Sequence, residues 1–164
     1  MHYHRSPRYW IRAMDFEQYF KSPTRSRSVH HFRDIYFTDK KCGKFVGALL
    51  NSTLFFFWFV SVGNGRNITG TDVEQIPIGD VDASAFAEAG NVFDRLMKDY
   101  AKNSFVRERK DCEFQEFKPS LSKPILDEID KVMASHYKFT AEELDFILNY
   151  DIKYRLGRGT EEEE

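Results

Sequence analysis

The residues from Phe45 to Val62 form an eighteen-residue run without a single charge, "FVGALLNSTLFFFWFVSV", whose main polar interruption is Asn51-Ser52-Thr53 at its middle. Apolar surface of this extent must be removed from water, either by lipid or by the rest of the chain. The run is at the short limit for a helical membrane span, and the polar triplet falls at its centre. It therefore reads as the core of a globular domain with no membrane partner. The expected parse is a buried strand over Lys44 to Leu50, Asn51 as a helix cap, and a fully buried helix "STLFFFWFVSV" stopped by Gly63.

A chain of 164 residues with 41% hydrophobic content, sixteen Phe, eight Tyr and two Trp can supply the cover for such a run without a metal or a disulfide. Cys42 and Cys112 stand seventy residues apart with no CxxC and no clustered histidine, which argues against both a disulfide framework and a zinc site and fits a reducing, cytoplasmic setting. The opening "HYHRSPRYWIRAMDF" lacks a charged n-region followed by an apolar h-region, so it reads as domain interior rather than a targeting peptide.

Along the chain, Arg8 to Phe16 is rich in aromatic and β-branched residues and reads as a strand; the Ser/Thr/Pro/Arg segment Lys21 to Asp34 reads as a loop. Phe32 to Phe37 and Lys44 to Leu50 flank "TDKKCG", which suggests a hairpin. After the aromatic run, "IPIGD" reads as a short strand. From Asp82 to about Arg107, Phe86, Phe93 and Tyr100 at heptad spacing mark a long amphipathic helix. "RERKDCEFQEFKPSLSKP" reads as a connector. Pro124 opens a further helix with Ile125, Ile129, Val132 and His136 inward, and Thr140 with Glu143 forms a capping box for the last one. The fold class that results is α+β: a mixed-sheet domain around a buried aromatic helix, over residues 1–80, followed by a helical region over 81–160.

Between the aromatic helix and "DVEQIPI" lies "GNGRNITGT", Gly63 to Thr71. Thr71 and Glu74 have capping-box spacing, which would clamp the loop from behind. Gly63, Gly65 and Gly70 permit positive φ or close backbone approach, while Arg66 and Asn67 carry the planar forks suited to a guanine edge, an adenine edge or a phosphate. The loop is either held still against an anionic partner or is an idle reversal with a solvated arginine. Charge distribution bears on that choice. The net charge of −2 conceals eleven Lys/Arg against four Asp/Glu in residues 1–71 and thirteen against twenty-two in 72–164. A basic half that also holds four of the five histidines suggests a polyanion on that side. Candidate contacts are Arg66, Asn67, Asn64 and Thr69, supported by Arg25, Arg27, His30, His31 and Arg33 from the earlier loop; the two histidines could contact bases or phosphates or act as ligands.

"VGALLNSTLFFFWFVSVGNGRNITGTDVEQIPI" resembles the signature stretch of target-recognition domains in bacterial restriction-modification adenine-specific DNA methyltransferases. "ILDEIDKVMASHYKFTAEELDFILNYDIKYRLGR" is similar to the extreme C-terminus of the same large Type IIG-like polypeptides. Together they cover about two fifths of the chain. The resemblance implies recognition of double-stranded DNA by the basic half, with the helical half packed on that core or on the methyltransferase catalytic domain of a parent enzyme that uses S-adenosylmethionine. Tyr150, Asp151, Lys153, Tyr154 and Arg155 match the second stretch and imply a packing role.

Catalysis by this chain alone is not expected. All five prolines are isolated, so the Asn/Asp-Pro-Pro-aromatic motif of those enzymes has no counterpart. "FVSVGNG" follows a helix and lacks the acidic residue of a cofactor-binding glycine motif, so no cofactor is assigned. Asp39-Lys40-Lys41, Glu116-Phe117-Lys118 and Asp151-Ile152-Lys153 all satisfy the short acidic-x-Lys pattern of nucleases, which shows how little that pattern specifies. The rival to DNA recognition is a protein-docking module whose aromatic surface and amphipathic helix seat a subunit.

Overall fold

In the computed structural model of the chain, residues 1–7, 9–24 and 32–156 are described. The order of elements is β1 (His2–His4), β2 (Ala13–Met14), β3 (Phe20–Lys21), β4 (Phe32–Asp34), α1 (Lys40–Asn51), α2 (Thr53–Val62), α3 (Gly70–Glu74), α4 (Ala83–Lys102), β5 (Ser104–Arg109), β6 (Cys112–Phe117), a 3-10 turn (Pro119–Ser122), α5 (Lys123–Tyr137), α6 (Ala141–Asn149) and α7 (Ile152–Arg155). The class is α+β with a helical C-terminal region. Its strands form two small sheets, β2-β1-β4 and β3-β6-β5, and every pairing is antiparallel where a mixed sheet was expected.

The uncharged run is two helices, not a strand and a helix. Asp39 caps α1, its carboxylate accepting from the Lys41 amide at 2.8 Å. Lys44 to Leu50 continues that helix, so the expected hairpin around "TDKKCG" does not form. The reason lies in the partner: α1 lies along α4, with Phe45, Ala48 and Leu49 buried, and Gly47 lets the two helices approach closely. A Cβ on Gly47 would stand 2.6 Å from the Phe93 ring. Strand Arg8–Phe16 shrinks to Ala13–Met14. "IPIGD" is irregular, and the helix expected to reach Arg107 ends at Lys102. The supposed connector instead holds the β5–β6 hairpin, turned at Lys110-Asp111. Pro124 in the first turn of α5 and the Thr140–Glu143 capping box of α6 are as expected, although the inner face of α5 is carried by Leu126, Ile129, Asp130 and Met133. No single helix among the described residues is long and apolar enough to cross a membrane. The pair α1 and α2 has that length and composition together, but is bent by 68°.

The bend is made by the polar triplet. Ser52, not Asn51, is the cap of α2: its hydroxyl accepts from the Phe55 amide at 3.0 Å and donates to the Leu49 carbonyl at 2.6 Å, closing one helix and opening the next. Asn51, 2% exposed, is the last residue of α1. Its amide nitrogen donates to the carbonyls of Gly47 at 2.7 Å and Ala13 at 2.8 Å, and its oxygen accepts from the Ala13 amide at 3.2 Å and the Tyr100 hydroxyl at 3.1 Å. Burial pushes the Tyr100 phenol well above its ordinary range, which keeps it a neutral donor. Asn51 therefore ties β2 and α4 to α1 with its hydrogen-bonding capacity used.

Thr53 extends the joint to the C-terminus. Its amide donates to Asp130 Oδ1 of α5 at 2.7 Å, and its hydroxyl accepts from Arg155 Nη1 of α7 at 2.7 Å. Arg155 is 3% exposed, lies 4.1 Å from the centroid of Trp10, and donates to the Tyr9 carbonyl while Trp10 Nε1 donates to its own carbonyl. The packing role implied for Arg155 is thus what it does; Lys153 and Tyr154 are exposed. A single core runs from Tyr3 to Met133, so residues 1–80 and 81–160 share their interior. Helix α2 is covered on one side only: Phe55, Phe56 and Phe59 are buried, but Val60 and Val62 face solvent.

Two outcomes follow from the joint. Asn51→Ala leaves the Ala13 amide, the Tyr100 hydroxyl and two carbonyls without their buried partner, and should cost about 3 kcal/mol or more in urea denaturation; a loss below about 0.5 kcal/mol, typical of a surface site, would contradict the role given to it. Burial pushes the Asp130 carboxyl from 3.8 up to about 6, against the pull of its hydrogen bonds from Thr53 and the charge of Arg155. A carboxyl whose pKa is higher folded than unfolded favours the fold fully below the unfolded value and loses that contribution as pH rises through the folded one. The loss should be of order 3 kcal/mol between about pH 4 and pH 6, and Asp130→Asn should flatten that limb of the stability profile; an identical profile in the variant would refute the assignment.

Candidate nucleic-acid interface

Helix α2 delivers the glycine-rich loop to the surface. Its last turn closes when the Gly63 amide donates to the Phe59 carbonyl at 3.0 Å. Asn64 then folds its side chain over the loop, Oδ1 accepting from the amides of both Arg66 and Asn67 at 2.8 Å. Gly65 takes φ +65°, a left-handed conformation that would strain a residue with a Cβ. Three residues later Ile68 is fully buried and its amide donates to the Arg5 carbonyl at 2.7 Å, which pins the loop to the end of β1.

The clamp behind the loop is a capping box two residues earlier than its spacing suggested. Thr69, not Thr71, caps α3: its hydroxyl accepts from the Asp72 amide at 3.2 Å and donates to Asp72 Oδ2, which also accepts from the Thr69 amide. Thr71-x-x-Glu74 and Thr69-x-x-Asp72 both fit the motif, and the burial of Ile68 fixes the second register.

These bonds divide the candidate residues by task. The Thr69 hydroxyl is committed to the cap and the Asn64 oxygen to the loop's own backbone, so both act as positioning groups. Asn67 is half-buried, with Oδ1 accepting from Ser6 Oγ at 2.5 Å and its amide nitrogen left to point elsewhere. Arg66 is exposed, and neither an ion pair nor a side-chain hydrogen bond engages its guanidinium among the described residues. Arg33 lies on β4 directly opposite Tyr3 of β1. Arg25, Arg27, His30 and His31 lie outside the described residues, as do Arg8 and the tail from Gly157.

Tyr3 reports what converges here. Burial raises its phenol's pKa, the charges of Arg33 and Arg5 lower it, and those of Asp72 and Glu74 raise it, so charges of both signs act on this end of the β2-β1-β4 sheet. Arg5 is the member that the sequence did not single out. Its one signal was a position just beyond a strand whose partner is Arg33. Of the two carboxylates, Asp72 is turned back onto Thr69 while Glu74 is exposed, so Arg5 and Arg33 share this end of the sheet with one free acid.

Such an arrangement offers guanidinium and amide donors on a braced backbone, suited to anionic or base-edge acceptors rather than to bond-making chemistry. No cluster of three His, Cys, Asp or Glu side chains able to hold a metal ion occurs among the described residues. Each acidic-x-Lys triplet is used locally: Asp39 caps α1, Glu116 pairs with Arg107 at 2.5 Å, and Asp151 makes the left-handed turn into α7. No protein-family model matches the chain, and neither a curated protein nor a solved structure matches it.

Asn64→Ala tests the brace. It should speed amide hydrogen exchange at Arg66 and Asn67 about five- to tenfold, the equivalent of about 1 kcal/mol of lost hydrogen bonding, while global stability stays within about 0.5 kcal/mol. Unchanged exchange at both amides would show that the loop is held by its anchors alone.

Proposed function

We propose that this chain is the sequence-specific DNA-recognition module of an adenine-specific DNA methyltransferase of the restriction-modification type, without the catalytic domain. The observation that carries the reading is Arg66: an exposed guanidinium, in no ion pair among the described residues, on a loop fixed at Asn64, Gly65, Ile68 and Thr69 and tied through Ile68 to the Arg5 backbone. A stiff loop loses little conformational freedom on binding, so its arginine can discriminate between base edges instead of adapting to each. Arg5 and Arg33 neutralise phosphates and set register; Arg66, with the Asn67 amide, reads a base edge in the major groove. Flipping of the target adenine, and the S-adenosylmethionine it reacts with, belong to the parent's catalytic domain. The same proposal places the module in the cytoplasm, where Cys42 and Cys112 stay as the free thiols they are here.

This reading assigns the catalytic partner to the exposed aromatic edge of α2. Phe57 meets Phe146 edge to face at 5.5 Å and Tyr150 at 5.0 Å, and Phe146 and Val60 are 52% and 40% exposed. That edge also supports the second reading, a docking module with no DNA contact. The two respond differently to salt. Under the first, affinity for a duplex containing the recognised site falls steeply with added salt, and Arg66→Ala weakens it about tenfold, or about 1.4 kcal/mol, within the roughly 1–3 kcal/mol of one base contact, with relaxed preference at one base pair. Salt-insensitive association with a protein partner and no duplex binding would favour the second.

A further inference from the structure

The β5–β6 hairpin is the part of the chain that neither the loop nor the core accounts for. Its fifteen residues from Ser104 to Lys118 hold four cations and four carboxylates, and in sequence they look neutral. The pleat sorts them. Because alternate residues of a strand share a face, the pairings Phe105↔Glu116, Arg107↔Phe114 and Arg109↔Cys112 put Phe105, Arg107, Arg109, Phe114 and Glu116 on one side, and Phe20 of β3 joins them opposite Phe114. The other side carries Val106, Glu108, Glu113, Gln115 and the buried Phe117, with Lys21 opposite Glu113.

On the first side the cations are held over the rings. Arg109 lies 5.5 Å from the centroid of Phe114, Arg107 lies 5.8 Å from that of Phe105, and Lys118 lies 5.3 Å from Phe105. Glu116 pairs with Arg107 at 2.5 Å, but no carboxylate among the described residues reaches Arg109 or Lys118. The side therefore carries three cations against one carboxylate. On the opposite side Tyr19 and Lys21 engage Glu113, at 2.8 Å and 3.4 Å. A ring beneath each cation restrains it and shields it from the core while leaving its outer hydrogens free. The rings are covered by those cations, so they are poor platforms for stacking bases; the free groups are cationic N–H donors suited to phosphate oxygens.

We propose that this face is a second DNA-contact surface, on which Arg109 and Lys118 bind phosphates of the duplex backbone, with Arg107 fixed between Glu116 and Phe105 as their support. The inference rests on the reading of the chain as a DNA-recognition module, and assigns the hairpin to affinity and register rather than to sequence discrimination. Both residues are exposed and outside the core, so their replacement leaves the fold intact.

The test is the salt dependence of binding by the whole chain to a fluorescent duplex oligonucleotide of mixed sequence. Loss of two phosphate contacts in the Arg109→Ala/Lys118→Ala double variant should lower the slope of log K against log salt by about 1.8. Affinity should fall equally for duplexes of different sequence, and Arg109→Lys alone should retain the wild-type slope. An unchanged slope in the double variant, where Arg66→Ala still weakens binding, overturns the hairpin assignment and leaves the recognition loop standing. Tighter binding of the corresponding single strand, lost in the double variant, overturns the assignment to duplex backbone. Failure of the wild-type chain to bind any duplex removes both proposals.

Discussion

A polar side chain in the middle of an oily segment has to recover every hydrogen bond it gave up to water, and Asn51 recovers them from two other elements, the Ala13 backbone and the Tyr100 hydroxyl. Ser52 and Thr53 do the same for the helix ends on either side and for Asp130 and Arg155. Three consecutive residues thus connect the N-terminal strands, the α1–α4 pair, α5 and α7. Apolar burial supplies most of the driving force, but it is non-directional. The triplet supplies direction: it sets the 68° bend between α1 and α2, and with it the place where α2 emerges at the surface and its loop begins.

Arg155 closes the arrangement from the other end of the chain. Its guanidinium is sandwiched near Trp10 and Phe56, and burial lowers its pKa, with Asp130 the strongest opposing influence. The two stretches that carry the family resemblance meet at its bond to Thr53. Helix periodicity alone gave no reason for "LNYDIKYR"; the reason is tertiary, a left-handed turn at Asp151 that swings Arg155 inward.

What could be read from the sequence was whatever local chemistry decides. Gly63 as a helix stop, Pro124 in a first helical turn and the Thr140–Glu143 box all depend on neighbours within one turn, and all appear as expected. Lys44 to Leu50 was read as a strand because a run buried on every side has no period, and only the close approach of Gly47 to Phe93 shows it is helical. The β5–β6 hairpin was hidden for another reason: its turn, Lys110-Asp111, has no glycine, and the preceding helix masks the start of its alternation. In the site, Arg66 and the braced loop were legible from the glycines. Arg5 and Ser6 were not, because the hydrogen bonds that bring the residues just past β1 against residues 67 and 68 are long-range facts.

The account's central claim, that a loop positioned by the buried joint meets DNA, is tested most directly by backbone amide chemical shifts of the labelled chain titrated with a duplex bearing the recognised site. Shifts concentrated at Gly65, Arg66 and Asn67 and at the ends of β1 and β4, with Asn51 and Thr53 unmoved, are the predicted result. Shifts centred instead on Phe57, Phe146 and Tyr150, or none at all, would contradict it.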